Sequence, residues 1–168
     1  MKALFAIPFL LPAISLAADN DDSIIHWKTV AGVITAPNVD NPVAGIHSGT
    51  FPWVARHGKA RVNVATGAVA FEVQGLVIDG ANVSGTPGPV TEVVGTLVCD
   101  AGQRTQSIID TPAVPLSARG DARFSGHVGY IPPCPNPLFL IRIGPGVQGA
   151  AGRWIATAAE RFIGDEGD

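Results

Sequence analysis

From Gly58 to Leu76 the chain alternates between apolar and polar positions. Ala60, Val62 and Val64 interleave with Lys59, Arg61 and Asn63. Ala65-Thr66-Gly67 interrupts the pattern, and then Val69, Phe71 and Val73 interleave with Ala70, Glu72 and Gln74. A period of two on both arms, with a glycine-containing turn between them, predicts an antiparallel hairpin with one buried face. Lys59, Arg61, Glu72 and Gln74 share the polar face, which suits cross-strand charge pairing.

Shorter runs of the same character predict strands over 24–31, 51–56, 90–99, 106–109, 122–130, 138–143 and 153–159. Helical periodicity is weak throughout. Trp154, Ala158, Arg161 and Phe162 admit a short helix over 152–162, but a terminal strand is the preferred reading. Short strands punctuated by Gly, Pro, Asn and Asp predict an all-β fold, an antiparallel β-sandwich of Greek-key or immunoglobulin-like type. Two long loops stand apart, 37–48 and 79–89, and loops of that length in a compact domain often carry function.

The first 17 residues fall outside this pattern. Met1-Lys2 precedes an apolar run from Ala3 to Leu16, and Ser15 and Ala17 put small residues at the −3 and −1 positions of a cleavage site. That order predicts a secretory signal peptide, 1–17, removed after Ala17. The run is shorter than the roughly 20 residues of a membrane span, and Pro8 and Pro12 interrupt it. No cysteine at the cleavage site suggests a lipid anchor, and no later segment is long and apolar enough to span. The expectation is one β-sandwich domain over 18–168, secreted or periplasmic.

Composition narrows the partners. Charged residues are 15% of the chain, with 20 glycines and 14 prolines, a balance suited to an exported β protein. The net charge is −3, and loss of Lys2 with the leader makes it −4. No basic block is present, so nucleic acid is not an expected partner. The two cysteines, Cys99 and Cys134, most simply form one disulfide in an exported chain, closing a loop worth about 3–4 kcal/mol. A pair of free thiols is the alternative, although neither cysteine has a basic or histidine neighbour to activate it.

Gly58-Lys59-Ala60, Thr66-Gly67, Phe71-Glu72-Val73 and Gly75-Leu76 together resemble the central hairpin of CHRD (chordin-type) domains. Gly88-Pro89-Val90 and Val93-Val94-Gly95-Thr96-Leu97 are similar to the strand that follows it. The resemblance covers 40 to 60 residues and implies an exported β-sandwich. These domains usually carry His-x-His after the Gly-Leu strand, where this chain has Val77-Ile78-Asp79-Gly80. The resemblance therefore implies fold and export rather than an activity.

Candidate chemistry is sparse. His26, His47, His57 and His127 are scattered without the close spacing of a strand-built metal site. A composite site of His47, His57 and His127 is the one metal arrangement to test, and separate histidines are the alternative. A blue-copper set lacks its methionine, because the sole Met is Met1. No Gly-x-Ser-x-Gly elbow occurs. Asp121, Ser125 and His127 share one predicted strand, but on its solvent side, with Ala122, Phe124 and Val128 inward. Asp40, Asp79, Glu92, Asp100 and Asp110 lie in or beside loops, where turn formation explains them better than paired-acid catalysis. Arg119-Gly120-Asp121 spells a cell-adhesion tripeptide, and Asn82-Val83-Ser84 spells a glycosylation sequon. Phe51-Pro52-Trp53 sets two rings on one side of a proline and suits an aromatic platform for a sugar or peptide, beside His47 and His57. Core packing is the alternative for these rings and for Trp27, Trp154 and Phe162.

These observations favour an exported, non-enzymatic module with a structural or binding role and no cofactor, facing a protein or carbohydrate outside the cytoplasm. A second reading is a metal-binding or hydrolytic protein whose site is assembled from 37–57 and 79–89. A third is a homo-oligomer that self-assembles through an uncovered edge over 24–35.

Overall fold

The computed structural model describes residues 23–80, 82–145 and 149–164. The leader and its cleavage site lie outside the described residues. Eleven strands form among those described and no α-helix. They are β1 (Ile24–Gly32), β2 (Trp53–Val54), β3 (His57–Asn63), β4 (Ala68–Gln74), β5 (Val77–Ile78), β6 (Glu92–Cys99), β7 (Ser107–Asp110), β8 (Val114–Pro115), β9 (Ala122–His127), β10 (Leu138–Ile143) and β11 (Trp154–Ile163).

The expected hairpin is β3 and β4, with Ala60 opposite Phe71 and Val62 opposite Val69. Its turn follows from Asn63, whose Oδ1 accepts hydrogen bonds from the Ala65 and Thr66 amides, both at 3.0 Å. Asparagine closes turns in this way because its short side chain reaches its own downstream backbone.

One antiparallel sheet runs in the order β7, β6, β10, β11, β1, β3, β4, β9. β8 also pairs with β6, so β7 and β8 share one edge position, against Thr96–Cys99 and Glu92–Val93 respectively. Thr111 joins them: its amide donates to the Gly95 carbonyl, and its hydroxyl accepts from the Gly95 amide. A separate two-stranded sheet pairs Trp53 with Ile78 and Val54 with Val77.

The long sheet curls until its ends face each other across the core, as in a sandwich. Phe139 on β10 packs against Trp27 on β1 and Phe71 on β4, with ring centroids 5.7 and 5.9 Å apart. Gly95 on β6 marks the meeting point, since a Cβ there would lie 2.7 Å from both Phe139 and Phe71. Two rings fill the space that any side chain would need. Val62, Val73, Leu97, Leu140, Ile141 and Ile155 complete a core that excludes solvent.

The Cys99–Cys134 disulfide is formed and ties the end of β6 to the Pro-rich segment before β10. The C-terminal segment is a strand, not a helix. No helix among the described residues is long and apolar enough to cross a membrane. The expected strand over 51–56 shortens to two residues because Pro52 cannot donate to a ladder. The uncovered edge expected over 24–35 is not an edge: β1 lies inside the sheet, bonded to β11 on one side and β3 on the other. β9 and the β7–β8 pair occupy the two ends of the strand order.

Candidate binding face

The polar side of the β3–β4 hairpin is the middle of a larger surface. Residues two apart in a strand share a face, and antiparallel register aligns them across neighbours. Phe162 lies opposite His26, His26 opposite Arg61, Arg61 opposite Ala70 and Ala70 opposite Ser125. One step along, Lys59 lies opposite Glu72 and Glu72 opposite Arg123. Lys28, two residues beyond His26 on β1, extends this second row beside Lys59.

Ala70 and Ser125 are short and their neighbours are long. A depression of about 470 Å³ results, lined by His26, Lys28, Lys59, Arg61, Glu72, Arg123 and Phe162 among others. Phe162 and His26 wall one end, stacked with centroids 4.8 Å apart, and Lys28 Nζ sits 4.7 Å from the Phe162 ring centre. Two further depressions adjoin, of about 630 Å³ beside Lys28, His57 and Lys59 and about 480 Å³ beside Arg56 and Arg123. Glu72 borders all three.

The electrostatics of this face differ from expectation. Lys59 stands opposite Glu72, yet the expected charge pairing is not made. Glu72 Oε1 instead accepts a hydrogen bond from Gln74 Nε2 at 2.8 Å. Among the described residues, Lys59, Arg61 and Arg123 make no ion pair. Lys59 and Arg61 are about 7 Å apart along one strand, and Arg123 lies two strands away, about 10 Å from Lys59. Such spacing of the backbone positions can hold a multiply charged anion.

The loop over 37–48 is a second constellation, and its polar groups are turned on one another. Asp40 accepts hydrogen bonds from the Ser48 amide at 2.9 Å and the Ser48 hydroxyl at 3.4 Å. Its second oxygen, Oδ2, meets His47 Nδ1 at 2.5 Å, and Arg153 stands 3.7 Å from Oδ1. The His47 hydrogen bond, more than the Ser48 amide or the nearby charges, holds the Asp40 carboxyl below the usual aspartate range. Ser48 is 0% exposed, and His47 bonds Asp40 rather than the serine. No nucleophile–base relay is present here. The group anchors the loop, helped by the buried Trp154 indole, which donates to the Asn41 carbonyl.

The other sequence candidates disperse. His57 and His127 lie at opposite ends of β4, against Gln74 and Ala68, about 20 Å apart, so His47, His57 and His127 do not converge. Among the described residues, no three His, Cys, Asp or Glu side chains gather as metal ligands. Trp53 is 3% exposed and Phe51 38%, so the two rings do not form a shared platform. Of the residues expected to bind, His57 alone borders the cationic face. Asp121 Oδ1 accepts from the Gly75 amide, and Gly120 is buried against Leu76, which makes Arg119-Gly120-Asp121 a structural turn. Asn82 and Ser84 are exposed. Asp110 accepts from the Thr96 hydroxyl at 2.6 Å and pairs with Arg142 at 3.4 Å.

Sequence reasoning read Lys59 and Arg61 only as partners for Glu72. Their spacing two apart on a polar strand face was the available signal. Lys28 and Arg123 come from strands distant in sequence, and nothing local links them to the hairpin. The chain matches no protein-family model, no curated protein and no solved structure.

Proposed function

We propose that the protein is an exported β-sandwich binding module that engages an anionic ligand through the outward face of β11, β1, β3, β4 and β9. One observation carries this reading: Lys59, Arg61 and Arg123 share that face without ion-pair partners among the described residues, in a chain of net negative charge. Gathering like charges on a sheet raises the energy of the fold, and an anion laid across them lowers it. The face supplies charge and hydrogen bonds but no activated nucleophile, which favours binding over catalysis. Export is supported by the leader-like residues 1–17, the disulfide and the hairpin's resemblance to CHRD domains.

The test is retention of residues 18–168 on a sulfonate resin near neutral pH. A protein of net charge −4 without a localised cationic patch flows through such a resin. The expected result is retention in about 20 mM salt and release by about 200 mM, as screening shortens the reach of the patch. Lys59→Ala/Arg61→Ala is expected to flow through, and Arg104→Ala/Arg119→Ala, away from the face, to be retained. Flow-through of the wild type, or equal retention of both double variants, overturns the assignment.

A further inference from the structure

We infer that the ligand of this face is an acidic polysaccharide, a hydroxyl-rich chain with carboxylate or sulfate groups set apart along it. The inference rests on the binding face proposed above and turns on Glu72. This carboxylate sits between Lys59 and Arg123 in the register, borders all three depressions and is held by Gln74. An ionised carboxylate only accepts hydrogen bonds, so it repels a densely charged polyanion and welcomes a hydroxyl donor. A ligand that suits Lys59, Arg61 and Arg123 together with Glu72 must present anions and hydroxyls in alternation. Polysaccharides with charged sugars do so.

The remaining geometry agrees. The backbone positions of the cations are spread over about 7 to 10 Å, which suits charges spaced along a chain. Ser125 adds a hydroxyl to the floor, and the short Ala70 leaves room for a ring above the sheet. Single-stranded nucleic acid is bound on open aromatic platforms, whereas Phe162 has His26 stacked on it and Lys28 over it.

The experiment measures binding of residues 18–168 to four probes at equal anion concentration: polygalacturonate, kappa-carrageenan, polyglutamate and an oligonucleotide. At least one polysaccharide is expected to bind about tenfold or more tightly than polyglutamate or the oligonucleotide, and the stronger of the two identifies carboxylate or sulfate as the charged group. Glu72→Ala supplies the sharper reading. Pure charge attraction predicts tighter binding to every probe when this carboxylate is removed. Hydroxyl recognition predicts about five- to tenfold weaker binding to the preferred polysaccharide, with tighter binding to polyglutamate and the oligonucleotide. An unchanged melting temperature in Glu72→Ala would show that the fold is intact, and Gln74→Ala, which frees Glu72 from its hydrogen bond, gives a second measure that leaves the carboxylate in place. If polyglutamate or the oligonucleotide binds as tightly as the polysaccharides, or if Glu72→Ala tightens all four, the polysaccharide assignment is wrong. In that event, continued resin retention through Lys59 and Arg61 leaves the cationic binding face standing, and loss of retention removes both.

Discussion

Asp40 shows what a single side chain does when its loop has no regular ladder to join. Ser48 is buried beneath the loop, and its amide and hydroxyl need acceptors within the protein. Asp40 supplies one oxygen to both and gives the other to His47. Because the carboxylate is the form these donors stabilise, its folded pKa lies below the unfolded value. The linkage then has a definite sign. The contribution is complete above about pH 4, the ordinary aspartate value, and is lost as the pH falls through the depressed folded value. Asp40→Asn removes the charge at every pH. Wild type is therefore expected to melt higher than Asp40→Asn near pH 7, and the gap is expected to narrow at a pH well below 4. Calorimetric melting of both proteins at the two pH values checks this. An equal gap in acid would mean that the amide disturbs the loop by shape rather than by charge.

Among elements, the ones legible in the sequence are those with several alternating residues on a half-buried sheet. β3 and β4 could be read with their buried face, and β10 with its bounds, because period-two alternation is a local property. β2, β5 and β8 span two residues each and hold too little pattern to recognise. The interior position of β1 was not legible either. Whether a strand is an edge depends on partners such as β11, more than a hundred residues away. The same limit hid the candidate face, since Lys59 and Arg61 are local but their alignment with Arg123 is set by strand order. The disulfide was legible because two cysteines allow one pairing. It encloses β7, β8 and β9 in a loop with a sequence separation of 35. Cys99→Ala/Cys134→Ala is expected to lower the unfolding free energy by about 3–4 kcal/mol, most of it through a less restricted unfolded chain. Urea titration measures the loss, and reductant added to the wild type should reproduce it. A loss below about 1 kcal/mol would mean that the β6–β10 pairing alone holds this region.

At the scale of the molecule, the distribution of charge matters more than its sum. The net charge is negative, yet Lys28, Lys59, Arg61 and Arg123 gather on one side of one sheet. Among the described residues lining this face, Glu72 is the carboxylate, and it accepts a hydrogen bond from Gln74. Repulsion among like-charged neighbours on a sheet face costs a few tenths of a kcal/mol per pair and reaches about 30 Å in 10 mM salt but about 8 Å in 150 mM. A face retained only for packing would gain from replacing these cations, because their side chains point to solvent. Lys59→Gln/Arg61→Gln is therefore expected to melt as high as wild type, or slightly higher, in about 10 mM salt. Wild type is expected to gain stability between about 10 and 150 mM salt as the repulsion is screened, and the variant to gain less. Thermal unfolding of both proteins across that range separates two causes. If the variant loses more than about 1 kcal/mol at every salt concentration, Lys59 and Arg61 support the fold through their aliphatic stems, and their clustering needs no ligand to explain it. If the variant keeps its stability while losing retention on the sulfonate resin, the cations cost the free protein stability that only a bound anion returns.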